Sequence, residues 1–230
     1  MVSTTLSTAT APQSASDKLW DCYNTLLLSP DRARLRKMMI RYRLFELALD
    51  VPGDIVECGV YKGAGLLYWA KLLEIFASGS RRKVIGFDVF APFTSVELRP
   101  EERAVATAHD DIAGDTSAAH IQNLIEEAGL AERVELEEGD VTITAAQYAA
   151  ERRGSRISLL NLDLDTYAGT LAVLKAFWPL ISPGGVVILD EYGIAGMGES
   201  DAADAFFADV NVRPAAVPFA ETPTAFLVKP

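Results

Sequence analysis

The run PGDIVECGVYKGAGLL, residues 52–67, decides the architecture. Pro52 and Gly53 break what precedes them, Ile55, Val56 and Cys58 make a short apolar run, and Gly59, Gly63 and Gly65 lead into apolar positions that begin at Leu66. A short strand that ends in a glycine-rich turn and opens a helix is the first half of a strand–helix–strand crossover. Reading outward, apolar runs follow at 84–87, 134–138, 157–162 and 186–189, with helical spacing between them over 66–76, 118–128 and 170–180. Each gap is long enough for a right-handed crossover, so the five runs from 55–58 to 186–189 are expected to lie parallel in one sheet. The last two runs, 215–219 and 225–228, are separated by a few turn-forming residues including Pro223 and read as an antiparallel hairpin, for seven strands in all.

Upstream of Pro52, Leu19, Trp20, Tyr23, Leu26 and Leu27, then Leu35, Met38, Met39, Tyr42 and Phe45, recur with helical periodicity, and Pro30 separates two helices. The organisation expected is a disordered tail over 1–17 and one α/β domain over 18–230, made of a helical cap (18–50) and a Rossmann-like core (51–230). The longest stretch without clear periodicity, 91–116, is expected to be a loop serving as a lid. With 230 residues, half of them hydrophobic, a single core suffices. The net charge of −11 has the wrong sign for a nucleic-acid or anionic-lipid partner. Cys22 and Cys58 have neither CxxC nor Cys/His spacing, which excludes a zinc site and a disulfide framework. No apolar run approaches the roughly 18–20 residues of a membrane span, so the expected location is the reducing cytoplasm.

Ligands of parallel sheets bind beyond the carboxyl ends of the strands, and acids stand at nearly every such position here. Asp88 follows the second run, where a carboxylate can accept hydrogen bonds from vicinal ribose hydroxyls. Asp140, in Gly139-Asp140-Val141, follows the third, where it can meet an adenine amino group. Any one such acid is as often a helix cap or a solvated group, but three in register are harder to dismiss. The fourth run delivers Asp163 and Asp165, the fifth Asp190 and Glu191. With adjacent strands about 4.8 Å apart, Asp163 and the Asp190-Glu191 pair converge. Carboxylates that close raise one another's pKa unless a cation sits among them, and oxygen-only ligands suit Mg²⁺, Mn²⁺ or Ca²⁺. A dinucleotide fingerprint is disfavoured because Tyr61 stands where its second glycine belongs.

The order of these motifs resembles the class I S-adenosylmethionine-dependent methyltransferases, and within them the macrocin (TylF-type) family of metal-dependent sugar O-methyltransferases. The likeness runs from Pro52 to Tyr192; its most specific elements are Leu162-Asp163-Leu164-Asp165-Thr166-Tyr167, Pro183-Gly184-Gly185 and Asp190-Glu191-Tyr192-Gly193. It implies a Rossmann-like fold and S-adenosylmethionine as cofactor, with Glu57, Gly59 and Gly63 at its methionine end, Asp88 at its ribose and Asp140 and Val141 at its adenine. Tyr61 and Lys62 fall where the family carries an aromatic–basic pair, which adds Tyr61 to the cofactor-binding set. The resemblance further implies Mg²⁺ or another divalent cation on Asp163, Asp190 and Glu191. Glu191 departs from the usual second aspartate, and its longer side chain would shift the ion. The helices before Pro52 would cover the site and contribute to a homodimer.

The reaction expected is methyl transfer to a hydroxyl of a sugar or glycosylated natural product, with the cation lowering the hydroxyl pKa. Asp163 would take the proton, with His109 in the 91–116 segment as the alternative. A catechol-type O-methyltransferase acting on a small phenol and a non-catalytic cofactor-binding protein are the competing readings, with a nicotinamide-dependent oxidoreductase behind them.

Overall fold

The computed structural model describes residues 14–210 and 212–230. Its elements run α1 (Ala15–Leu28), α2 (Ala33–Ala48), β1 (Asp54–Cys58), α3 (Ala64–Phe76), β2 (Val84–Asp88), α4 (Arg103–Ala113), α5 (Ala118–Glu127), β3 (Val134–Glu138), α6 (Val141–Glu151), β4 (Ile157–Leu162), α7 (Tyr167–Phe177), β5 (Ile181–Leu189), α8 (Glu199–Phe207), β6 (Ala215–Ala216) and β7 (Ala225–Val228). The sheet order is β3-β2-β1-β4-β5-β7-β6. β1 to β5 pair in parallel, and β7 joins β5 and β6 antiparallel. The chain winds outward from β1 to β3 and then returns to place β4 on the other side of β1. The crevice at that reversal, beyond the carboxyl ends of β1 and β4, is where such a sheet receives a ligand.

Alternation along the strands sorts the core to the two faces. Ile55, Leu159 and Ile188 pack with Leu44, Phe45, Trp69 and Leu73 of α2 and α3. Val56, Leu160 and Val187 pack on the other face with Val173 and Phe177 of α7. β4 is buried at every residue, which explains its unbroken apolar run.

The structure alters several expectations. α1 begins at Ala15, inside the tail expected to be disordered, because Ser14 and Asp17 form a reciprocal capping box. The rest of that tail, residues 1–13, lies outside the described residues. The 91–116 segment is no plain loop: it holds a 3₁₀ turn at Phe93–Ser95 and α4, an alanine-containing helix that buries only Ala106 and so shows little apolar period. β5 starts at Ile181, earlier than expected, and its Gly184 at φ +82° donates its N–H to the Lys229 carbonyl. β6 stops at Ala216, where the nearby Pro218 has no N–H to extend a ladder. No helix among the described residues is long and apolar enough to cross a membrane.

Candidate active site

A cavity of about 580 Å³ lies over the β1–β4 reversal, between α2, the loop after β1, α4 and the turns after β4 and β5. The loop after β1 is built on backbone geometry only glycine tolerates at its start. Gly59 has φ +93°, and a Cβ there would stand 1.8 Å from the Asp163 carbonyl oxygen. Asp88 then fixes the loop from the end of β2. One of its oxygens accepts the N–H groups of Val60 (2.7 Å) and Tyr61 (3.0 Å), and the other accepts that of Phe90 (2.8 Å). Gly63 caps α3 in the left-handed region and leaves that helix N-terminus facing the cavity. Asp140 caps α6, accepting the Thr142 N–H at 2.9 Å and its hydroxyl at 2.7 Å through a single oxygen. Asp88, Asp140 and Val141 all line the cavity, with Glu57, Gly59 and Tyr61.

Glu57 sits at the floor, 1% exposed. One oxygen accepts from Trp69 Nε1 (3.2 Å) and Asn161 Nδ2 (3.1 Å), and the other has no hydrogen-bond partner. Burial pushes its pKa up to about 7, with the Arg41 guanidinium the largest opposing influence.

The acids after β4 and β5 come together as expected, with a different membership. Carboxylate oxygens of Asp163, Asp165 and Glu191 all lie within 4.8 Å of one another. Asp165 reaches the group because its backbone is left-handed at φ +60°, which turns it back beside Asp163. It is not the cap of α7; Thr166 is, through its hydroxyl. Asp190 is fully buried, and one of its oxygens takes a 2.7 Å hydrogen bond from the Lys37 ammonium. Buried oxygens of Asp165, Asp190 and Glu191 have no hydrogen-bond partner. Burial, reinforced by Asp190, raises Asp163 to about 7 against Lys37 and Arg41. Burial likewise raises Asp165, and drives Glu191 well above the ordinary range with further repulsion from Asp163 and Asp190.

Sequence reasoning overlooked three contributors. Lys37 and Arg41, one helical turn apart on α2, enter the acid cluster: Arg41 approaches Asp163 at 3.1 Å and Glu57 at 3.8 Å. Glu199 at the start of α8 is fully buried and accepts the Glu191 N–H at 3.0 Å, which fixes the turn after β5. The only signal for the α2 pair was a basic Arg34/Lys37/Arg41 stripe, which by itself reads as a solvated face. His109 on α4 lines the cavity with its ring 4.2 Å from that of Tyr61 and 5.6 Å from that of Phe93. Lys62 donates to the Ile112 carbonyl at 2.9 Å, and Asp110 accepts the N–H groups of Phe93 and Thr94, so α4 is tied down across the mouth as a lid.

The sheet order, the glycine loop after β1 and the cavity at the strand reversal define a class I methyltransferase fold. The calicheamicin methyltransferase CalS11 superimposes with a TM-score of 0.76 over 95% of this chain and 94% of that one, at 24% identity. The profile of the Macrocin-O-methyltransferase (TylF) family matches residues 32–215, and the chain belongs to that family. Mycinamicin III 3''-O-methyltransferase of Micromonospora griseorubida is 28% identical over 155 residues, 65% of this chain and 59% of that protein. The 8-demethyl-8-(2,3-dimethoxy-alpha-L-rhamnosyl)-tetracenomycin-C 4'-O-methyltransferase of Streptomyces olivaceus is 29% identical over 161 residues, 64% of this chain and 56% of that protein. The matched region thus spans less than two thirds of the length of either relative.

Proposed function

We propose that the chain is an S-adenosylmethionine-dependent, divalent-metal-dependent O-methyltransferase acting on a hydroxyl of a sugar or glycosylated natural product. Family membership and the names of the two curated relatives support the reaction and the acceptor class. The observation that carries the reading is the Asp163–Asp165–Glu191 group at the cavity, an all-oxygen set within 4.8 Å that includes buried oxygens with no hydrogen-bond partner. Such a set is repulsive on its own and fits a hard divalent cation. Asp190 would join it once free of Lys37.

When bound, the cofactor supplies an electrophilic methyl group and the cation lowers the pKa of the acceptor hydroxyl. The chain's own residues do the rest. Gly59 lets the cofactor loop lie against the turn after β4, and Asp88 holds that loop rigid through three backbone N–H groups. On this reading Glu57, Gly59, Tyr61 and Gly63 face the methionine end, Asp88 the ribose, and Asp140 and Val141 the adenine. Asp140 keeps a second carboxylate oxygen for an amino group, beyond the one that caps α6. The lid contacts of Lys62, Tyr61, His109 and Asp110 exclude water. Asp163, with its pKa raised to about 7, accepts the proton; the His109 ring is stacked in the lid and serves closure instead.

The exposed face of α1, with Leu19, Trp20, Tyr23 and Leu28 bare and no residue buried, supports the expected homodimer. The free thiols of Cys22 and Cys58 accord with a reducing, cytoplasmic setting. Incubation with methyl-labelled S-adenosylmethionine and a panel of glycosides and catechols tests the reading. Label is expected on a glycoside, to vanish in EDTA and to return with Mg²⁺; full transfer in EDTA, or transfer to catechols alone, would contradict it.

A further inference from the structure

Lys37 and Arg41 both enter the acid cluster, but they are held very differently. Arg41 is 7% exposed, lies over the Trp69 ring at 5.5 Å, and belongs to the part of α2 that is packed on the sheet with Ile40, Leu44 and Phe45. Lys37 stands one turn earlier, where Arg34, Leu35, Met38 and Met39 are exposed, and its own side chain is 23% exposed. Its ammonium bridges Asp190 at 2.7 Å and Asp163 at 3.5 Å. A lysine is a strongly hydrated point charge on a flexible stem, so this one can swing into the cavity water while Arg41 stays. Asp190 is fully exposed to the consequence: it is buried, one oxygen is held by Lys37, and the other has no hydrogen-bond partner.

Resting on the metal reading above, we propose that Lys37 is an internal counter-cation that competes with the divalent ion for Asp190. With Lys37 docked, Asp190 is neutralised from within the fold and three carboxylates face the ion. With Lys37 withdrawn, Asp190 becomes a fourth ligand. The ammonium and the ion exclude each other because both claim the same buried carboxylate, and two cations a few ångströms apart repel strongly there. Lys37 is thus a positioning residue that sets how tightly the site holds its ion and keeps the cluster folded when no ion is bound. Unpaired, the buried Asp190 would destabilise the fold.

Mn²⁺ titration of the full chain, followed by electron paramagnetic resonance, tests this on wild type, Lys37→Met, Lys37→Arg and Asp163→Asn. Lys37→Met is expected to bind Mn²⁺ roughly tenfold more tightly, since a unit charge has left the site. Lys37→Arg, which keeps the charge, is expected to stay near wild type. In parallel melts, Lys37→Met should fall below wild type in EDTA and gain more than wild type from saturating Mn²⁺; a purely structural role would lower both melts alike. Lys37→Gln replaces Lys37→Met should the latter fail to fold in EDTA, with the same expectation. Mn²⁺ affinity that Asp163→Asn abolishes but that is unchanged or weaker in Lys37→Met and Lys37→Gln would overturn the competition and leave the metal site standing. Absence of Mn²⁺ binding in every protein would overturn both.

Discussion

The carboxyl edge of the sheet has two halves that carry the same residue type in opposite states. Beyond β2 and β3, Asp88 and Asp140 are satisfied by the chain itself, accepting backbone N–H groups and, at Asp140, the Thr142 hydroxyl. Beyond β4 and β5, Asp163, Asp165, Asp190 and Glu191 crowd together, and three of them keep buried oxygens with no hydrogen-bond partner. Donors satisfy the first half; only cations relieve the second, and Lys37 and Arg41 of α2 provide part of that charge. An acid at a strand end is therefore informative only with its partners known. One that holds a loop is architecture for a ligand, and one left without donors awaits a cation.

The largest separation between the halves is expected from Asp163→Asn. Methyl transfer should fall by about a thousandfold or more with the loss of a cation ligand and proton acceptor. The melting temperature should hold or rise, because a repelled carboxylate has been removed. Initial rates and a thermal melt read both. Asp88→Ala should do the reverse, losing about 1–3 kcal/mol of stability as three backbone N–H groups lose their acceptor, with cofactor affinity falling as the loop loosens. Calorimetric titration of S-adenosylhomocysteine measures the second effect, and unchanged affinity would remove Asp88 from the cofactor site. Asp140→Ala should cost about 1 kcal/mol as a lost helix cap, with a modest loss of cofactor affinity.

The smallest effect is a slope with pH. Glu57 and Asp163 have pKa values raised to about 7 in the folded chain, above their ordinary carboxylate values. The folded state therefore binds more protons than the unfolded one between those limits. The contribution is fully present below the ordinary carboxylate range and is lost as pH rises through about 7. Metal-free protein should melt higher at pH 5.5 than at pH 8 in this window (roughly one pKa unit on each side of the transition). Glu57→Gln should flatten part of that slope, and an unaltered profile would place the proton uptake elsewhere.

How far the sequence carries depends on the kind of signal. Five parallel strands, the glycine turn at Gly59 and the acids at 57, 88, 140, 163, 190 and 191 were legible because strand period and strand ends are local properties. The helix α4 was hidden because it buries only Ala106 and shows no apolar stripe. Asp165 joined the cluster through a left-handed turn that no pattern announces. Lys37 and Arg41 became site residues only because α2 crosses the ends of β4 and β5, a tertiary fact invisible in a basic stripe. The exchange of Asp190 for Asp165 beside Glu191 follows from that same crossing, since Lys37 holds Asp190.

Anomalous scattering from Mn²⁺ soaked into crystals of the full chain tests the central claim most directly. The account predicts one strong peak at coordination distance, roughly 2.0–2.6 Å, from oxygens of Asp163, Asp165 and Glu191. A peak at another place, or none at saturating Mn²⁺, would contradict it.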